Sequence, residues 1–407
     1  MSEAHHAAMV PLRWRTDVKA RPVRCDPPAG DRTDQLVTRP SAGGRLGRVS
    51  TDALSIEPLT IPALIDGPDA GPFREMTELR NDIEASIVGS RDLAVSAAGL
   101  LPEYQDAWID KQVHVARLGD RMVGRVFVEL AQEEGARTAL VEVEVLPEFR
   151  GHGVGSALLA HGEAIAAAAE RPVIEAYILH TLGDPAAERV HATTGFGDVP
   201  ADDPGVRFLT ARGWTLEQIY RMSRLDLDDG ARRLDALSAE AVAASSVGYD
   251  LVTWIGATPD EYLDDLAVLN ARMSTDAPQG GLEIDEEVWT AQRVADLDAR
   301  TLRGGYLFLS TAARQRETGR LVAFSNMYVD ADRTRPAQQG DSLVLREHRG
   351  HRLGLLVKTG LHRLLAEESP QTRVAYTFNA EENRPMLAIN EALGFVPAGY
   401  QGVWKRP

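Results

Sequence analysis

Val143-Glu144-Val145-Leu146-Pro147-Glu148-Phe149-Arg150-Gly151-His152-Gly153-Val154-Gly155 runs from alternating Glu and Val, through a proline, into an Arg-Gly-His-Gly-Val-Gly turn. An Ala- and Leu-rich segment follows and reads as a helix. A strand that feeds a glycine-rich turn and then a helix start is an anion cradle, because bare backbone N–H groups and the helix dipole converge on one point. Glycines at 151, 153 and 155 let the main chain come close to a phosphate with no side chain between. The layout recurs downstream in Asp341-Ser342-Leu343-Val344-Leu345-Arg346-Glu347-His348-Arg349-Gly350-His351-Arg352-Leu353-Gly354. Val145/Val344, Leu146/Leu345, Glu148/Glu347, Arg150/Arg349, Gly151/Gly350, His152/His351 and Gly155/Gly354 coincide without a gap.

The chain has 407 residues, enough for two or more domains at roughly 150 residues each. Its 44% hydrophobic and 26% charged residues are ordinary for a globular protein. A net charge of −16 and a pI near 5.1 argue against nucleic acid or an anionic membrane as the main partner, since those need a basic face. The lone cysteine, Cys25, excludes a disulfide framework and a thiolate-metal site, and a cytoplasmic location is expected. No apolar stretch approaches the roughly 18 residues of a membrane span. Residues 1–52 are rich in Arg, Pro and Gly without an apolar signal-like core and read as a disordered tail.

Outward from the two turns, the same order of elements is predicted twice. In the first half the spacing predicts a helix over 72–90, a hairpin over 114–118 and 122–130, a strand over 139–146, a helix over 153–169 and a strand over 173–179. A loop over 182–203, a short helix over 205–211 and a strand near 218–227 close that unit. The second half reads as strand 250–255, helices 259–273 and 285–302, hairpin 305–312 with 319–329, strand 340–345, helix 353–367, strand 373–378, helix 382–392 and strand 399–404. Leu353, Val357, Leu361, Leu364 and Leu365 form one apolar stripe on the 353–367 helix. Internal duplication gives domains at 53–228 and 248–407, joined by a linker at 229–247.

At these residues the chain resembles the GNAT superfamily of acyl-CoA-dependent N-acyltransferases, twice over. Arg150, Gly153 and Gly155 match that family's Arg/Gln-x-x-Gly-x-Gly/Ala pyrophosphate loop; in the second half Arg349 and Gly354 match, and Arg352 replaces the first glycine. The family's Asn-to-Gly-Phe segment resembles Asn383 to Phe395, with Asn390 in place of its tyrosine. Asp202, Leu209 and Gly213-Trp214 are the poorer counterparts in the first half. The tandem layout is similar to that of the mycothiol synthases. The resemblance implies an α/β fold: two GNAT-like domains, each a mixed, mostly antiparallel sheet splayed between its central parallel strands and flanked by helices.

It further implies that acetyl-CoA, or another short acyl-CoA, lies between the splayed strands as co-substrate, with no metal. Backbone amides of Val145 and Leu146, or Val344 and Leu345, would bind pantetheine and the thioester oxygen. The loops Arg150, Gly151, His152, Gly153, Val154, Gly155 and Arg349, Gly350, His351, Arg352, Gly354 would hold the pyrophosphate, Arg352 either distorting its loop or pairing with a phosphate. Asn383 would bond the cofactor or cap the helix that starts beside it; Asn379 stands in the same position of choice. The acceptor would be a small-molecule amine, whose proton needs a base. Glu142, Glu144 and Asp341 are the candidate bases, and Glu142 and Glu144 share a strand face. The alternative for strand glutamates is solvation or pairing with arginine. Leu209 and Asn390 cannot protonate the leaving thiolate as the family's tyrosine does; Tyr220 and Tyr400 are candidates by element. His180 is an acceptor-side candidate or a satisfied structural histidine, and Trp254, Trp289 and Trp404 read as core. Two further functions stay open: a non-catalytic acyl-CoA sensor or scaffold, and an O-acyltransferase on the same scaffold.

Overall fold

In a computed structural model, residues 54–133, 135–228, 231–276, 280, 282 and 288–406 are described; the tail expected at 1–52 lies outside them. The first half runs β1 (Leu54–Pro58), α1 (Gly71–Val88), α2 (Ala97–Leu100), β2 (Ile109–Leu118), β3 (Arg121–Ala131), β4 (Thr138–Val145), α3 (Val154–Ala168), β5 (Val173–His180), β6 (Arg189–His191), β7 (Asp198–Pro200), α4 (Pro204–Thr210) and β8 (Thr215–Asp226). Helix α5 (Ala231–Ser245) leads into the second half. That half runs β9 (Tyr249–Ile255), α6 (Leu263–Asp276), α7 (Ala291–Arg303), β10 (Leu307–Gln315), β11 (Leu321–Val329), β12 (Ala337–Val344), α8 (Leu353–Glu368), β13 (Val374–Ala380), α9 (Arg384–Leu393) and β14 (Val396–Arg406).

Most elements follow from their apolar period. Every residue of β11, Leu-Val-Ala-Phe-Ser-Asn-Met-Tyr-Val, is buried, as a strand covered on both faces requires. Helix α3 lies so close to the sheet that a Cβ on Gly162 would sit 2.5 Å from Val141 and 2.9 Å from Val126. The stripe on α8 is buried as its spacing predicts, Leu364 only partly. Two expectations change. The segment at 182–203 is not only loop, since β6 and β7 pair there. The connecting segment at 229–247 is largely helix, α5, and its Leu237 and Ala241 pack on the second core.

The main departure is at the last strand of each half. One sheet of 12 strands has the order β1-β2-β3-β4-β5-β14-β8-β13-β12-β11-β10-β9. β8 does not close its own unit, as the sequence led us to expect. It pairs antiparallel with β13, from Val374↔Asp226 to Ala380↔Tyr220. β14 in turn pairs with β5, from Tyr400↔His180 to Arg406↔Ile174, and on its other edge with β8. The halves thus exchange their terminal strands. Apolar periodicity specifies that a strand forms and which face is buried, but not which edge it joins.

The exchange is sealed by side chains. Trp404 of β14 is wholly buried in the first unit's core with Val206, Leu209, Trp214 and Leu216. Arg221 of β8 pairs with Glu381 at 2.7 Å and Glu391 at 2.8 Å. Truncating a fully buried tryptophan costs about 3–5 kcal/mol. We therefore expect Trp404→Ala to lower the unfolding free energy by about that amount and to loosen the first unit although the residue is encoded in the second. Urea unfolding followed by hydrogen exchange of 139–180 checks this; unchanged protection there would contradict the exchange.

Candidate active site

Each half opens where its two parallel strands part. β4 and β5 pair only over Thr138↔Val173, Ala139↔Ile174 and Leu140↔Glu175. β12 and β13 pair only over Ala337↔Ala375 and Gln338↔Tyr376. Beyond those pairs lie the two clefts, and both open into one crevice of about 2110 Å³, larger than the roughly 300–1,000 Å³ of an ordinary ligand pocket. The expected splay is therefore present in both units.

The strand amides divide between sheet and cleft. Leu146 N–H donates to Val123 O at 3.0 Å, and Leu345 N–H to Val322 O at 3.0 Å. Alternation along a strand then turns the amides of Val145 and Val344 toward the cleft. Of the expected donors, Leu146 and Leu345 are accordingly corrected: their amides are consumed by the sheet. Arg150 Nε donates to Val145 O at 2.9 Å, and Arg349 Nε to Val344 O at 3.2 Å. Each loop arginine thus ties the turn back to the end of its strand.

The loops share one backbone shape. Gly151 (φ 75°) and Gly153 (φ 89°) are left-handed, as are Gly350 (φ 89°) and Arg352 (φ 57°). α3 and α8 begin at Val154 and Leu353 with Gly153 and Arg352 as N-caps, so first-turn amides face the crevice end as an anion site needs. Gly151, Gly153, Gly155, Gly350, Arg352 and Gly354 line the crevice. His152 and His351 do not form its wall, against expectation. The half-buried His152 has an Nδ1 without a hydrogen-bond partner among the described residues, and the exposed His351 packs against the Tyr249 ring at 5.3 Å. Val154 is buried in the core and brings only its amide. Arg352 keeps its loop undistorted and pairs with Glu240 of α5 at 2.8 Å. Unforeseen at the first loop are Arg207 and Arg212, also in the wall. Arg212 bonds Ser156 Oγ at 2.7 Å and stacks on Phe208 at 3.8 Å. No spacing rule links them to the loop, because it is α4, carrying Arg207 and followed by Arg212, that brings them there.

The candidate bases have separate fates. Glu144 is ion-paired to the Nε of buried Arg125, which also donates to Tyr104 Oη at 2.9 Å. Glu142, on the same face, has a buried Oε1 with no hydrogen-bond partner among the described residues. Burial first, and the Glu144 charge second, push its carboxyl up to about 8. Asp341 lines the second cleft at a bulge, where Gly340 and Asp341 lie between the pairs Ser325↔Ser342 and Met327↔Gln339. A Cβ on Gly340 would sit 2.4 Å from Asn326 Oδ1 and 2.6 Å from the Tyr328 ring. Asp341 therefore matches Glu142 in sequence but not in strand register.

The remaining candidates are mostly structural. Asn383 caps α9, its side chain accepting from Met386 N–H, and it also lines the crevice. Buried His180 lies 3.2 Å from Asp203, the cap of α4, and accepts from Trp404 Nε1 at 3.4 Å; it joins three elements and forms no part of the crevice wall. Tyr220 lines the crevice and Tyr400 does not. Tyr177 of β5, unforeseen, lines the first cleft, and burial raises its phenol well above the usual range. Leu209 is core. Trp254 and Trp289 pack at the edge of the second core, Trp289 also facing the crevice beside Arg293 at 4.8 Å.

Two splayed clefts, each ended by an Arg-tied turn at a helix start, are the architecture of the GNAT fold, present here as two units in tandem. A family model of the acetyltransferase (GNAT) family matches residues 86–196. A tandem GNAT protein from the clavulanic acid biosynthesis pathway is similar at 28% identity and a TM-score of 0.65, covering 87% of this chain and 98% of that one. A GCN5-related N-acetyltransferase from Sphaerobacter thermophilus shares the fold at 14% identity and a TM-score of 0.55, over 87% and 96% of the two chains. No curated protein sequence matches the chain. GNAT proteins use acyl-CoA, which makes acyl transfer the general activity of the family. Among the described residues no helix is long and apolar enough to cross a membrane.

A left-handed residue with a Cβ costs roughly 1–2 kcal/mol, and Arg352 carries that cost. Arg352→Gly is expected to be more stable than Arg352→Ala by about 1 kcal/mol, since both lose the Glu240 pair and only glycine relieves the strain. Urea midpoints of the two variants check it.

Proposed function

We propose that this protein is an acyl-CoA-dependent N-acyltransferase that moves an acetyl or other short acyl group from coenzyme A to a small-molecule amine by direct attack on the thioester. The observation that carries the proposal is Glu142, in the crevice wall on the strand that leads into the glycine turn, whose buried Oε1 has no hydrogen-bond partner among the described residues. A base must be unpaired, close to neutral in pKa and within the reacting space. Glu142 meets these conditions and Glu144, held by Arg125, does not.

The residues support a division of labour in the first cleft. Amides of the 151–155 turn, with Arg207 and Arg212 nearby, hold the pyrophosphate. The Val145 amide, turned into the cleft, supports the thioester oxygen as it gains charge. Glu142 takes the proton of the attacking amine as the C–N bond forms. Tyr177, kept protonated by burial, offers an O–H toward the sulfur. The acceptor occupies the part of the crevice beyond Glu142, where Glu84 and Glu103, each raised to about 7 by burial, also face the space.

Thiol release from acetyl-CoA against a panel of amines tests the reading. Glu142→Gln is expected to lower kcat by about 10²–10⁴. In the parent, kcat/KM should rise with pH through about 8 as Glu142 ionises; the variant should lack that limb. Because the folded value lies above that of an unfolded carboxyl, the same ionisation removes stability as pH climbs toward about 8, a loss the Gln variant avoids. Glu144→Gln should instead destabilise by roughly 3–5 kcal/mol, leaving Arg125 buried and unpaired. Undiminished turnover by Glu142→Gln would remove the proposed base. Firm CoA binding without thiol release to any amine would leave a sensor.

A further inference from the structure

Lys358 of α8 is wholly buried, yet no carboxylate pairs with it among the described residues. Its Nζ donates to Asn390 Oδ1 at 2.8 Å, and Asn390 Nδ2 donates to Asn379 Oδ1 at 2.5 Å. Burial alone lowers the amine to about 7. An unpaired amine in a protein core is costly, and a methionine would fill the same volume without that cost. What lysine supplies is direction. As an ammonium it has donors only, so Asn390 presents oxygen to it and nitrogen to Asn379. Asn379 must then present its own oxygen to Asn390. The group left over is Asn379 Nδ2–H₂.

Asn379 lies three residues past Tyr376, the last β13 residue paired to β12, on the stretch where the second cleft is open, and it forms part of the crevice wall. Asn390, behind it, holds the place where the family resemblance calls for a tyrosine. Resting on the reading that this cleft also accepts acyl-CoA, we propose that Asn379 stabilises the departing thiolate there, its Nδ2–H donating a hydrogen bond to sulfur, with Asn390 and Lys358 as positioning residues behind it. The amine nitrogen bonds to the thioester carbon, the C–S bond breaks, and its electron pair passes to sulfur. The amine proton goes to Asp341 and then to water. The amide keeps its protons, so the thiolate leaves as an anion held by a fixed donor and is protonated by solvent after release.

The test reads the thiol pKa of bound coenzyme A from its ultraviolet thiolate absorbance. It uses the full chain carrying Gly153→Glu, which sets a carboxylate in the first loop and leaves the second cleft to bind. The bound thiol should ionise about one pH unit below free CoA, tenfold more thiolate at a given pH. Asn379→Ala and Lys358→Met should return it to the free value, and Asn379→Asp should raise it above. The CoA dissociation constant should stay within about threefold for Asn379→Ala, since a donor aimed at the thiolate adds little to binding of the neutral thiol. Should Lys358→Met not fold, the Asn379 pair decides. A bound-thiol pKa that Asn379→Ala leaves unmoved overturns the proposal. CoA uptake by the parent but not by the Gly153→Glu chain overturns it too and spares the first-cleft transferase. No uptake by the parent overturns the transferase reading itself.

Discussion

The exchanged strands β8 and β14 are the constraint on which both clefts depend. For β5 to swing away from β4 after Glu175, its other edge must be held, and that edge is bonded along β14 to Tyr400↔His180. β13 is held in the same way by β8 as it leaves β12. Opening a sheet strands backbone donors, which is tolerable only where they face solvent or a ligand. Here the opening is braced from the opposite half, so neither cleft has its full wall without the other unit. The continuous sheet also explains why the two clefts drain into one crevice.

Within the first cleft one arginine separates two otherwise similar carboxylates. Arg125 lies opposite Glu144 in the ladder and Phe127 opposite Glu142. The charged partner takes the nearer glutamate, and the other is left beside an aromatic ring with its carboxyl raised to about 8. Environments that push neighbouring groups apart let one strand carry both a structural anion and a carboxyl of raised pKa. In the second unit the corresponding ladder pair is Phe324↔Leu343, so the ion pair is replaced as a whole by an apolar one. Removing both partners avoids the buried unpaired charge that removing one would leave. Asp341 consequently sits at a bulge with no counterpart of the Arg125–Glu144 pair one ladder step away.

The two loops show how far a motif can drift while its shape is kept. Arg150 and Arg349 make the same bond to the preceding strand, and Gly153 and Arg352 adopt the same left-handed turn. The second loop tolerates the side chain because it points outward to Glu240 on α5, the helix that a loop-like composition at 229–247 had concealed.

Much was legible in order and period alone. The repeated turn, the strand before it, the helix after it and the splay that the family resemblance implied all depend on local chemistry: glycine at positive φ, alternation at period two, apolar stripes at period 3.6. The candidates Glu142, Val145, Arg150 and the loop glycines lie within that local stretch and line the crevice where expected. What lay beyond the sequence was every choice between partners distant along the chain. Which edge receives β8 and β14, whether Glu142 or Glu144 meets Arg125, that Leu146 spends its amide on Val123, and that Lys358 stands behind Asn390 and Asn379 are settled by packing in three dimensions. Side-chain type states what a group is able to bond, and only the tertiary fold decides which of several equivalent partners arrives within reach.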